Sequence, residues 1–228
     1  MLLRIMLFSA KMEVGVAKCL NFCVNIRVAM SVELTTINVE KNMPNKSEVI
    51  NNWPPLTAET LDAMQREQLY HDETYHREIS RLSVKGRVTH MTLHFAKYAG
   101  YLEEDQGNDK FRRTVTDLFV IGMSVLNGFN VRAYTSLESL GPLNYTSKDE
   151  LKRTVTIMTG RMAAACERLD HLEDFPYRRI LQDAAISITA AALATACHYG
   201  WSMPSLVYER LQPIKEKSIF FNKNRDGR

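Results

Sequence analysis

The densest run of side chains able to bind metal or move protons is Tyr70-His71-Asp72-Glu73-Thr74-Tyr75-His76. His90 and His94 stand four residues apart, so on a helix they share one face. Imidazole is a common transition-metal ligand, and this pair joined by His71 or His76 could hold such an ion. No glutamate lies between them in a zinc-protease pattern. The competing structural reading is a set of solvated or core-edge histidines. Two arginine pairs, Arg112-Arg113 and Arg178-Arg179, could clamp a phosphate or could pair with Glu103-Glu104 and Glu173-Asp174. Asp117 and Asp183 follow those pairs, as metal-binding carboxylates or as charges favoured in the first turn of a helix.

The elements that must position these groups announce themselves by repetition. Phe111-Arg112-Arg113-Thr114-Val115-Thr116-Asp117 is echoed 66 positions on by Tyr177-Arg178-Arg179-Ile180-Leu181-Gln182-Asp183. Each aspartate opens a stretch without Asp, Glu, Lys or Arg, from Leu118 to Val131 and from Ala184 to Cys197. A repeated step from a charged start into an apolar run predicts two related helical units in one chain.

The helical reading extends along most of the sequence. Thr57 caps a first helix, with Glu59 in its first turn and Leu61, Met64, Gln68 and Leu69 on a stripe. Gly86 is expected as a break, and a second helix runs from about Thr89 to Glu104. A third starts near Lys110 and stops around Asn127-Gly128. Thr146 or Ser147 caps a fourth that runs toward Leu172. A fifth spans about Tyr177 to Tyr199, apolar or small on every side in its middle, which reads as a central buried helix rather than a membrane span. A sixth covers about Met203 to Lys217. The expected fold is all-α, about six helices in two antiparallel units, 56–143 and 144–228. Strand signals are few outside residues 31–40.

Residues 1–55 are expected to be an extension and linker, poorly ordered. Met1 to Met30 is apolar, with Arg4, Lys11, Lys18 and Arg27 against Glu13 alone. Lys11 cuts the apolar run too early for a secretory signal, and the charges interrupt any membrane span. A basic presequence and an upstream accessory extension both stay open. The formal charge of +3 over 228 residues gives no strong nucleic-acid signal. Cys19, Cys23, Cys166 and Cys197 form no CxxC pair and no zinc spacing, which fits thiols in a reducing, cytoplasmic compartment.

The order of long helix, acidic turn, third helix with an early aspartate and then Gly-Phe-Asn resembles the MazG-like all-α nucleoside triphosphate pyrophosphohydrolases. The resemblance covers about Leu56 to Arg228, from Leu56-Thr57-Ala58-Glu59-Thr60-Leu61 as the opening helix to Arg210-Leu211-Gln212-Pro213-Ile214-Lys215-Glu216-Lys217 as the closing one. It implies a protein that acts on a nucleotide with Mg²⁺, releasing pyrophosphate, and the long apolar helices add the expectation of a homo-oligomer. Relatives hold the metal with E-x-x-E on one helix and E-x-x-D on the next, because carboxylates three apart share a face and build an oxygen cage. Here those motifs fall on His94-Phe95-Ala96-Lys97 and Thr114-Val115-Thr116-Asp117, and only Asp117 keeps the family's carboxylate. In the second unit the second motif becomes Ile180-Leu181-Gln182-Asp183, again with the aspartate alone. A shifted cage would draw on Glu103, Glu104, Asp105 and Asp117, or on Glu167, Asp170, Glu173 and Asp183. Lys97, Arg113 and the basic tail residues Lys223 and Arg225 would meet the phosphates. Two functional readings stay open: a hydrolase with a relocated cage, and a helical binding module that lost it. His71-Asp72 also resembles the HD dipeptide of metal phosphohydrolases, but that fold needs an earlier histidine and none precedes His71.

Overall fold

Ser147 begins the clearest example of how this sequence writes a helix. Its hydroxyl accepts from the Glu150 amide while the Glu150 carboxylate accepts from the Ser147 amide, a reciprocal cap that satisfies two otherwise orphaned donors. Thr57 and Ser83 cap two other helices in the simpler way, accepting from the amides of Thr60 and Gly86. The computed structural model describes residues 49–104 and 107–217. The extension up to residue 48, Asp105 and the tail with Lys223 and Arg225 lie outside the described residues.

Among the described residues there are eight helices: α1 Ala58–Tyr75, α2 Arg77–Ser80, α3 Val84–Glu103, α4 Asn108–Gly128, α5 Ala133–Glu138, α6 Lys148–Asp170, α7 Tyr177–His198 and α8 Met203–Lys217. The fold is all-α. The two short helices, α2 and α5, were not legible as separate elements. Gly86 does not break the chain; it sits in the first turn of α3, where its amide is spent on the Ser83 cap. The described strand-like contact is a single bridge, Val49 with Asn144. Residues 49–55 are held by it, by the Ile50 amide donating to the Leu143 carbonyl, and by the Trp53 indole donating to the Leu137 carbonyl at 2.8 Å.

Short turns join α3 to α4 and α6 to α7, so each pair folds back as an antiparallel hairpin. The hairpins pack into a ring of four: α3 on α4, α4 on α7, α7 on α6 and α6 on α3. Phe95, Leu118, Phe119, Leu151, Met162, Leu181 and Ile188 fill its centre, all but sealed from solvent. Each such side chain contributes about 1.5–3 kcal/mol by leaving water. The tightest approach is α4 on α7. A Cβ on Gly122 would stand 2.0 Å from the Thr189 hydroxyl oxygen, so only glycine lets these helices meet. The 66-residue offset carries Gly122 to Ile188, next to Thr189, so corresponding parts of the two repeats cross each other.

α7 is long and apolar enough to cross a membrane by length and composition, and 67% of its apolar stretch is buried among its neighbours. α1 and α8 lie over the first hairpin, both against α4 and also against each other, and α5 bridges α1 and α7. Lys215 of α8 pairs with Glu67 of α1. The first hairpin is therefore clad on its outer side by helices from both ends of the described chain.

Candidate functional site

Asp117 lies on α4 just where the charged start gives way to the apolar run. Its side chain is 12% exposed, and Arg210 of α8 reaches it with Nε at 2.6 Å from Oδ1 and a second nitrogen at 3.4 Å from Oδ2. This two-point pair is the geometry in which guanidinium and carboxylate match best. Tyr98 of α3 is near, and burial first and the Asp117 charge second push its hydroxyl pKa upward. Around the pair is an open depression of about 240 Å³ lined by Asp109, Arg112, Arg113, Thr116, Leu206, Glu209 and Arg210. Arg112 reaches Glu209 at 3.5 Å. Arg113 has no carboxylate partner among the described residues.

The other carboxylates singled out by sequence are dispersed. Glu103 pairs with Lys152 at 2.8 Å, and Glu104 is the exposed C-cap of α3. Asp183 is exposed and stands 3.7 Å from Arg179, one turn earlier on α7. Asp170 pairs with Lys85, and Glu173 with Arg168. Lys97 lays its ammonium 4.6 Å above the Tyr98 ring and 3.4 Å from His94 Nδ1. Arg178 donates to the Phe129 carbonyl at 2.9 Å, tying the start of α7 to the end of α4. Among the described residues no three His, Cys, Asp or Glu side chains converge on a point where a metal would sit. Among the described residues the donor set does not fit a Mg²⁺ cage, since Asp117 commits both oxygens to Arg210 and Glu103 and Asp183 are paired elsewhere.

Three of the six histidines, by contrast, are gathered. Asp72, His76, Ile79, Ser80, Arg87, His90, Met91, His94 and Ile121 line a pocket of about 80 Å³ where α1 and α2 face α3. His90 Nε2 and His94 Nε2 are 3.1 Å apart. The Tyr98 hydroxyl is 3.5 Å from His94 Nδ1. Burial, then the Lys97 charge, lowers the His94 pKa to about 4. Asp72 accepts at Oδ1 from Gln68 Nε2 at 2.8 Å, and the same amide lies 3.2 Å from the Ser124 hydroxyl of α4. Asp72 Oδ2, Gln68 Oε1 and both ring nitrogens of His71 are buried without a hydrogen-bond partner. Burial raises the Asp72 pKa and is the main cause that lowers His71 to about 4.

Sequence reasoning missed Gln68, Arg87 and Ser124 and gave Arg210 no role at Asp117. No local signal points to Arg210, because 93 residues separate it from its carboxylate. A signal did exist for the pocket. Asp72 and His76 are four apart, as are His90 and His94, so two helical segments each present a ligand pair. Cys166 and Cys197 are free, and burial pushes the Cys197 thiol up to about 11, the opposite of an activated nucleophile. No family model, no curated protein and no solved structure matches the chain.

Proposed function

We propose that this chain is a MazG-like helical module that binds a phosphate-bearing small molecule and does not hydrolyse it. The binding face is the arginine-lined depression between α4 and α8, and a nucleoside triphosphate is the ligand class that the resemblance implies. The observation that carries the reading is Arg113, a guanidinium at the edge of a concave face with no carboxylate partner among the described residues. Arg210 adds to it, because two of its five N–H groups suffice for Asp117 and the rest of the fork remains for an anion. The donor geometry supports non-hydrolysis: among the described residues Glu103, Asp117 and Asp183 are each paired with a cation.

The test is calorimetric titration with nucleoside triphosphates, inorganic triphosphate and pyrophosphate, with and without Mg²⁺, alongside an assay for released pyrophosphate. Binding that weakens with salt, with no turnover, is expected. Arg113→Gln should lose about tenfold in affinity, the equivalent of about 1.4 kcal/mol for a charge-assisted hydrogen bond. Absence of binding to every compound sinks the proposal. Mg²⁺-dependent pyrophosphate release that disappears in Asp117→Asn would instead establish the hydrolase reading.

A further inference from the structure

We propose that the pocket between α1 and α3 is a transition-metal site, taking zinc or a similar ion through His90, His94, His76 and Asp72. The inference is independent of the phosphate-binding face.

The first support is the spacing of the two imidazoles. Zinc–nitrogen bonds of about 2.0–2.1 Å at a tetrahedral angle set two ligand nitrogens about 3.3 Å apart. The Nε2 atoms of His90 and His94 already stand 3.1 Å apart, on successive turns of α3. Without an ion the pair forms a hydrogen bond. Lys97 or Tyr98 donates to His94 Nδ1, which leaves the His94 proton on Nε2, directed at His90. With an ion bound, that proton belongs on Nδ1, where the Tyr98 oxygen can accept it, and exposed Lys97 has to move off that nitrogen.

The second support is Asp72. It is only 8% exposed, it lines the same pocket, and its Oδ2 has no partner. A buried carboxylate oxygen without a donor is costly to a fold, and a cation is the partner that would remove the cost. His76 completes the set from one turn along. It forms the C-cap of α1, its side chain is 42% exposed, and its Nδ1 lies 3.8 Å from Glu78. Glu78 is near enough to attract that nitrogen but too far to hydrogen-bond it. His76 lines the same pocket as Asp72, His90 and His94. These side chains do not meet at one point in this structure, and the site requires the exposed His76 ring to turn toward the imidazole pair. Arg87 in the same wall carries a charge of the wrong sign, which Asp72 offsets. The pocket, of about 80 Å³, has room for an ion together with water.

The experiment uses the full chain, stripped with a chelator, titrated with Zn²⁺ against a chromophoric chelator and with Co²⁺ followed by its visible spectrum. One Zn²⁺ per chain with Kd below about 1 µM and an intense, tetrahedral-type Co²⁺ spectrum are expected. His90→Gln and His94→Gln should each weaken binding by at least about 100-fold, and Asp72→Asn by about 10-fold or more. His171→Ala, an exposed histidine at the end of α6, should change nothing. Binding weaker than about 100 µM, or binding that survives His90→Gln combined with His94→Gln, overturns the proposal. Should those variants fail to fold, the Co²⁺ spectrum of the unaltered chain decides: a weak, octahedral-type spectrum counts against the site.

Discussion

The two copies of the aromatic-Arg-Arg phrase begin the second arm of each hairpin, yet they live in different surroundings. Phe111 is 8% exposed, with its ring edge-on to Tyr199 and Trp201, whereas Tyr177 is 37% exposed. The side chain of Asp117 is 12% exposed and bound by Arg210, whereas that of Asp183 is 66% exposed beside Arg179. The difference is made by α8, which packs on α4, while the matching side of α7 borders an open groove of about 470 Å³. The repeat encodes a helix start and a buried stripe, and both copies obey it. Chemistry is not in the repeat; it depends on what is laid over each hairpin. The same cladding makes the Asp117 carboxylate the anchor of α8.

That contrast can be broken by paired substitutions followed in denaturant. Phe111→Ala should cost about 3–5 kcal/mol, the range for a buried aromatic, and Tyr177→Ala about 1 kcal/mol or less. Asp117→Ala should cost about 2–3 kcal/mol, since it leaves Arg210 unpaired in a partly buried place, against under about 0.5 kcal/mol for Asp183→Ala. Equal losses within either pair would mean that α8 does not distinguish the hairpins in solution.

Acid should find the same asymmetry. His71 and His94, on α1 and α3, have pKa values lowered from 6.5 to about 4, mainly by burial. A histidine kept neutral by the fold contributes stability in full above about pH 6.5, which is lost as pH falls toward 4, because the unfolded chain binds protons first. Asp72 works the other way: its raised pKa lets the folded state take up a proton first on acidification, which moderates the loss. Melting temperature should therefore fall between pH 6.5 and 4, and His71→Leu should flatten the fall. Hydrogen exchange at pH 5 should loosen α1 and α3 before α6 and α7; a uniform loosening would contradict the assignment.

What the sequence made legible follows from the range of each interaction. Capping by Thr57 and Ser147, the stops near Gly128 and Tyr199, and the buried middle of α7 are local, and they were readable. α2 and α5, at four and six residues, are too short for a periodic stripe and exist because neighbours hold them. The start of α3 was misplaced because Gly86 looks like a breaker until Ser83 is known to cap on it. At the site, His90 with His94 was readable from spacing alone. Arg210 on Asp117 and Ser124 at Gln68 were not, since only the folded chain brings α8 and α4 to those partners. The shared offset located both aspartates but could not reveal that one would be covered.

The smallest expected effect bears on the uncovered side. Gly160 is exposed on α6, and a Cβ there would have no neighbour within 4 Å. It lies one turn from Ala164, which lines the 470 Å³ groove. If that face meets only water, Gly160→Ala should raise stability by about 0.5–1 kcal/mol, because alanine has less backbone freedom to lose on entering a helix. If a second copy of the chain packs there, as the α1 cladding packs on the first hairpin, the added methyl would meet its backbone. The gain would then vanish at high protein concentration and return on dilution. Denaturation of Gly160→Ala at two concentrations thus measures whether the second hairpin is bare or clad in solution.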